Sequence, residues 1–154
     1  CSFLKWPIDM RLAIINGPNL NLVGIREKHI YGSMTMDHFL DTLAEAYPDI
    51  DIVTFQSNVE GELVNDIQEV GFVVDGIILN AGAYTHTSLA IADAVAAVDA
   101  EVIEVHISNL AARESIRHDS FLTSKCVGVI SGLGLDGYRL AVEWFVKRSL
   151  VDKQ

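Results

Sequence analysis

The residues best suited to chemistry in this 154-residue sequence fall in three short polar blocks. One opens at Asn16-Gly17-Pro18-Asn19 and runs on to Arg26 and Tyr31; a second spans Asn80 to Ser88 and holds His86. The third, Glu104-Val105-His106-Ile107-Ser108-Asn109, is followed by Arg113 and Arg117. Asparagine and serine are compact hydrogen-bonding groups, arginine is a permanent cation, and histidine gives or takes a proton near neutrality. Such a set suits a small oxygen-rich anion and proton transfer to or from it. Taken singly, each residue has a plainer reading: Asn19 closes a turn, Arg26 is solvated, and His106 is an ordinary hydrogen-bonded strand-end residue. Convergence at one place is what favours chemistry, so the elements that carry the blocks decide the matter.

Those elements alternate. From Met10 onward, short β-branched runs are separated by longer segments of helical period, the order of βαβ units around a parallel sheet. Leu12 to Ile15, Ile50 to Phe55, Gly76 to Leu79, Glu101 to Ile107 and Cys126 to Ile130 read as five strands, apolar enough to be buried on both faces. Met36, Phe39, Leu40, Leu43, Ala44 and Tyr47 form one stripe of a helix capped by Thr35 and stopped at Pro48. Ser57-Asn58-Val59-Glu60 reads as a capping box for a second helix that ends at Gly71. In a third, Ser88 to Val98, the predicted core stripe is Ala90, Ile91, Ala94, Val95 and Val98, while Leu89, Ala92 and Ala96 leave the other side apolar, implying a second protein surface there. An amphipathic segment from Asp136 to Leu150 closes the chain. The expected fold is α/β: a flavodoxin-like, doubly wound, five-stranded parallel sheet in a single domain. Ligands of such sheets bind at the carboxyl ends of the strands, where all three polar blocks fall.

Composition narrows the function. Eleven Lys plus Arg against 21 Asp plus Glu give a formal charge of −10, which disfavours a general electrostatic grip on nucleic acid or an anionic membrane. No apolar run reaches the ~18 residues of a membrane span. The two cysteines, Cys1 and Cys126, form neither a metal-ligand spacing nor a disulfide framework, which fits a cytoplasmic setting. Residues 1–9 read as an extension or processing remnant, and 10–154 as one catalytic domain. A Walker loop, zinc spacing, nucleophile elbow and dinucleotide glycine fingerprint are all lacking, so neither cofactor nor metal is expected. Asn16 and Asn80 stand where a phosphoacceptor receiver domain would need acidic residues, and Asn-Gly-Pro-Asn-Leu-Asn is a poor flavin phosphate loop.

The blocks closely resemble those of the type II 3-dehydroquinate dehydratases. The resemblance is carried by Ile15 to Leu22, Arg26-Glu27 with Tyr31-Gly32, Gln56-Ser57-Asn58 with Glu60-Gly61, Asn80 to Ser88 with Asp93, Glu104 to Asn109 with Arg113, Glu114 and Arg117, and Gly128 to Tyr138. It implies loss of water from 3-dehydroquinate to give 3-dehydroshikimate, an anti elimination through an enolate in the shikimate route. By analogy Tyr31 is the base at C2, His106 the acid for the departing C1 hydroxyl and Glu104 its orienting partner. Asn19 would support a water at the enolate oxygen. Ser108 and the backbone near Ile107 would hold the carboxylate, and Asn80, His86 and Arg117 the hydroxyls. Trimers assembled into a dodecamer are implied, with Asp93 reaching a neighbour's site. Lys28 stands where the family often has proline, which would loosen a closing loop.

One physical requirement follows from that assignment. A free phenol has a pKa near 10, so a tyrosinate base near neutrality needs a depression of roughly 2 to 3 units, about 3 to 4 kcal/mol. Arg26 and Arg113 are the cations expected to supply it. A non-catalytic small-anion binding module on the same fold is the competing reading, and Tyr31 discriminates between them; a weaker third, an electron-transfer flavoprotein, predicts yellow protein.

Overall fold

The structure, a computed structural model, describes residues 9–25 and 33–152. Arg26, Lys28 and Tyr31 lie outside the described residues, as do residues 1–8 of the expected extension. Five strands, β1 (Met10–Asn16), β2 (Ile50–Gln56), β3 (Gly76–Asn80), β4 (Glu101–His106) and β5 (Gly128–Ser131), form one parallel sheet in the order β2-β1-β3-β4-β5. Four helices complete the domain: α1 (Met36–Ala46), α2 (Glu60–Val70), α3 (Leu89–Ala97) and α4 (Asp136–Asp152). This is the doubly wound flavodoxin-like arrangement expected from the alternation of periods.

The sheet separates two apolar layers. On one face Leu12, Ile14, Ile78, Ile103 and Val105 meet Met36 and Leu43 of α1 and Tyr138, Ala141, Val142 and Phe145 of α4. On the other, Ala13, Ile15, Ile77, Leu79 and Val102 meet Leu63, Ile67 and Val70 of α2 and Ile91, Ala92, Ala94 and Val95 of α3. Alternate strand residues therefore serve opposite layers, and each large aliphatic so buried stabilises the fold by about 1.5–3 kcal/mol. Burial on both faces holds only for β1, β3 and β4. The edge strands depart from it: β2 exposes Asp51, Val53 and Thr54, and β5 exposes Val129 and Ser131, because each has a neighbour on one side only.

Three local expectations need correction. Ser57 does not form the capping box; its Oγ accepts from the amide of Val59 at 2.9 Å and donates to Glu62, while α2 starts after Val59 with no side-chain cap. Gly71 ends α2 but in a right-handed conformation, φ −63°, so a left-handed cap is not its purpose. A Cβ there would lie 2.3 Å from Val98 Cβ, and glycine is required by that close approach. On α3, Ala90 is exposed and Ala92 is buried, the reverse of the predicted stripe, because Leu122 belongs to the same apolar layer as Ala92. The apolar surface left on that helix centres on Leu89, 64% exposed, with Ala96 and Ala97. The expected cap at Thr35 does form, accepting from the amide of His38 at 3.2 Å, and Ser88, read only as the first residue of its helix, caps α3 by accepting from the amide of Ile91 at 2.9 Å. No helix among the described residues is long and apolar enough to cross a membrane.

Candidate functional site

In a sheet of this order the chain leaves β1 toward one edge and β3 toward the other, so a crevice opens between their carboxyl ends. Three buried polar residues close those ends: Asn16 on β1, Asn80 on β3 and His106 on β4. Two of them are tied by a fourth. The Tyr138 hydroxyl, at the start of α4, donates to Asn16 Oδ1 at 2.6 Å and accepts from Asn80 Nδ2 at 2.9 Å. Burial pushes the Tyr138 phenol well above its ordinary range, partly opposed by Asn80, so it remains a neutral donor. Asn80 Oδ1 in turn accepts from the amide of Gly82 at 3.1 Å, which fixes the start of the next turn.

The first loop is pinned as tightly. Gly17 donates its amide to Asn80 O at 2.7 Å, and a Cβ on it would fall 2.5 Å from Ala81 O, so two backbones touch here and only glycine fits. Asn19 adopts a left-handed conformation, φ 68°, which asparagine tolerates better than most residues. Its amide donates to Asn58 Oδ1 at 3.0 Å, and Gln56 Nε2 bridges Asn58 Oδ1 and Gly17 O. The Asn58 and Gln56 side chains thus hold the loop that presents Asn19.

These segments line an open cavity of about 250 Å³, a little below the roughly 300–1,000 Å³ usual for ligand sites. Its polar lining is Asn19, Asn80, His86, His106, Ser108, Arg113 and Arg117, joined by Ile107; Leu20, Leu22, Val23 and Leu110 supply an apolar wall. Eight of the residues singled out in the sequence therefore share one cavity. Glu104 stands behind His106 rather than in the lining, and Asp93 is exposed on α3, away from this cavity. Among the described residues, no group of His, Cys, Asp and Glu is placed to hold a metal ion.

Two histidines face the cavity with rings stacked 6.3 Å apart. His106 and Glu104, 4% and 1% exposed, are joined by a 2.5 Å bond between Nε2 and Oε2. The carboxylate must accept, so Nε2 carries a proton and Nδ1 is the nitrogen left to serve the cavity. Burial would raise the Glu104 carboxyl, but hydrogen bonds from His106, Thr123 and Ser120 outweigh it and hold it below the ordinary carboxylate range. His86 Nδ1 lies 2.7 Å from the carbonyl of Asp119 and so donates to it, while its buried Nε2 meets no partner among the described residues. A neutral His86 thereby offers a lone pair to a hydroxyl donor.

The arginines are arranged differently. Arg113 Nη1 donates to Ser108 Oγ at 3.2 Å, which leaves the serine proton to donate onward to an anion. Arg117 Nε pairs with Glu114 at 2.6 Å, a contact that orients the guanidinium at the cavity rim. The sequence reading missed Tyr138 as the bond between strand ends, and missed Ser120 and Thr123 on Glu104. Their separation from their partners, 122 residues for Asn16 and 16 and 19 for Glu104, falls outside any local period.

A parallel doubly wound sheet whose strand ends present a buried Glu–His pair, two arginines and a serine to one polar cavity defines an enzyme of small polar anions with proton transfer at its centre. The match is specific. A family model described as class II dehydroquinase covers residues 10–146, and the chain belongs to that family. It is 47% identical over 139 residues to a 3-dehydroquinate dehydratase of Exiguobacterium sp., covering 90% of this chain and 95% of that protein. It is 52% identical over 134 residues to a catabolic 3-dehydroquinase of Aspergillus oryzae, covering 86% and 88%. The crystal structure of a type II dehydroquinase from Butyrivibrio crossotus superposes with a TM-score of 0.85 at 46% identity, covering 88% of this chain and 97% of that one.

Proposed function

We propose that this protein is a 3-dehydroquinate dehydratase that removes water by anti elimination through an enolate, with tyrosine as base and histidine as acid. The observation that carries the reading is the buried Glu104–His106 pair at a cavity shared with Ser108, Arg113 and Arg117. Elimination next to a ketone needs a base at C2, a donor for the enolate oxygen and an acid for the departing hydroxyl. His106 supplies the acid from Nδ1, and the charge of Glu104 supports the protonated ring. Asn19, held on its left-handed turn, supports the enolate through a water. Ser108, its oxygen already engaged by Arg113, turns its proton to the substrate carboxylate together with the backbone at Ile107. His86 Nε2, Asn80 and Arg117 meet the ring hydroxyls.

Tyr31 is the base in this reading. Support comes from the other three tyrosines: Tyr138 is a buried neutral donor, Tyr84 donates to Asn58 O at 2.8 Å, and Tyr47 bonds Glu143. None of them lines the cavity. Arg26 and Arg113 are the cations that would keep the Tyr31 phenol ionised. Trimers grouped into a dodecamer complete the proposal, with Asp93, exposed on α3, reaching a neighbour's cavity. Adding 3-dehydroquinate should produce the ultraviolet absorbance of a conjugated enone, and Tyr31→Phe should abolish it. An unchanged rate in that variant removes tyrosine from the base role; binding of 3-dehydroquinate with no absorbance change favours a non-catalytic anion binder.

A further inference from the structure

Glu104 has a second oxygen that the reaction does not use, and it is fully engaged. Oε1 accepts from Thr123 Oγ1 at 2.7 Å and from Ser120 Oγ at 3.1 Å, while Oε2 alone takes His106. The direction of the serine bond is fixed. Ser120 Oγ accepts from the amides of Leu122 and Thr123 at 3.0 and 3.2 Å, so its proton is left to point at the carboxylate. The same turn holds the other histidine, because the carbonyl of Asp119 takes His86 Nδ1 at 2.7 Å, and Phe121 N anchors the turn to Thr85 O at 2.9 Å.

We propose that Ser120 and Thr123 are positioning residues for the proton donor: their hydroxyls clamp Glu104 and, through it, set how firmly His106 holds the proton it gives up. Two donors on Oε1 withdraw charge that would otherwise act on His106. A clamped carboxylate therefore keeps the ring oriented yet lets its proton go more easily than a bare buried carboxylate would. Among the described residues, the charged and titratable groups around the pair are His86, stacked on His106; Arg113 and Arg117, which line the cavity; His118, which with Arg117 borders the hollow behind Glu104; and Cys126, whose thiol burial and Glu104 push up to about 12. Cys126 remains a neutral thiol at working pH, so it does not take over the clamp's role.

The inference rests on His106 as the acid, and the test separates the two. Thr123→Val is close to isosteric, and Thr123 is exposed, so the fold is expected to survive. The variant should lower kcat by roughly tenfold with KM changed by no more than about twofold. Losing one donor leaves more charge facing His106, so its midpoint followed by NMR of the ring carbon protons should rise by roughly half a pH unit, and the alkaline limb of kcat should follow. Thr123→Ser, which restores the hydroxyl, should restore both. A His106 midpoint that is unchanged or lowered in Thr123→Val overturns the clamp. A midpoint that rises while kcat and its alkaline limb stay put upholds the clamp's hold on the ring and overturns His106 as the acid.

Discussion

Replacing Tyr138 by phenylalanine removes one oxygen from a residue with no solvent exposure, and its cost follows from what that oxygen holds. Asn16 Oδ1 would lose its donor and Asn80 Nδ2 its acceptor, both at strand ends only 1% and 3% exposed. A buried polar atom left without a partner costs about 1–3 kcal/mol, and Asn16 Nδ2 already lacks a partner among the described residues, so the site has little slack. The ring volume is conserved, so no cavity contribution adds to this. A loss of about 3 kcal/mol is expected from the two atoms together. At this chain length that corresponds to a fall in Tm of roughly 6–12 °C. Urea unfolding at fixed protomer concentration is the assay, since any assembly would couple to folding. Asn16→Ala made in the Tyr138→Phe background should cost less than in the parent, because the two share one bond. A loss below about 1 kcal/mol, or strict additivity of the pair, would refute the claim that this hydroxyl ties β1 to β3. Because Asn80 also lines the cavity, a rise in KM should accompany the loss.

Other outcomes can be measured separately. Gly17→Ala places a methyl 2.5 Å from Ala81 O and should destabilise by at least about 2 kcal/mol in denaturant unfolding while raising KM, since Asn19 moves with that loop. Glu104→Gln should lower kcat by roughly 10²-fold or more with little change in KM. It also bears on acid stability: the folded carboxyl sits below its ordinary value, so its stabilisation is full above the unfolded pKa near 4.3 and is lost as pH falls through the folded one. Glu104→Gln should accordingly flatten the parent's loss of stability in that acid window, read by urea titrations at successive pH values. Cys126, pushed up to about 12 by burial first and Glu104 second, should be alkylated by iodoacetamide at pH 8 far more slowly in the native protein than in urea, with mass spectrometry separating it from Cys1.

The strands and helices were legible because each rests on a local signal repeated along the chain. The alternation of periods gave five parallel strands, and Thr35 and Pro48 marked helix ends by chemistry that acts within a few residues. Where the reading slipped, a distant neighbour had the decisive say. Ala92 is buried because of the layer containing Leu122, and Gly71 is glycine because of Val98. Ser57 turns from Glu60 to Glu62 because it satisfies the amide of Val59 first. The cavity lining was legible for the same reason as the fold, since strand ends of a doubly wound sheet converge whatever the side chains are. Its second layer was not, because Tyr138, Ser120 and Thr123 act on Asn16 and Glu104 across tertiary distance, with no spacing to betray them.

The charge balance gives that second layer its meaning. A chain of formal charge −10 offers an anionic substrate no long-range attraction, so capture falls to local groups, and the cavity concentrates two arginines and a serine there. Both cations are already committed within the protein, Arg113 to Ser108 and Arg117 to Glu114, which places them before any ligand arrives. Such preorganisation is worth more than raw charge, because an oriented guanidinium gives up no side-chain entropy on binding. Affinity for a carboxylate ligand should then depend weakly on salt across 50–500 mM, roughly the range over which a diffuse surface field is screened, and strongly on Ser108→Ala. Affinity that collapses with added salt while Ser108→Ala has no effect would mean that the surface field, rather than this cavity's fixed donors, gathers the anion.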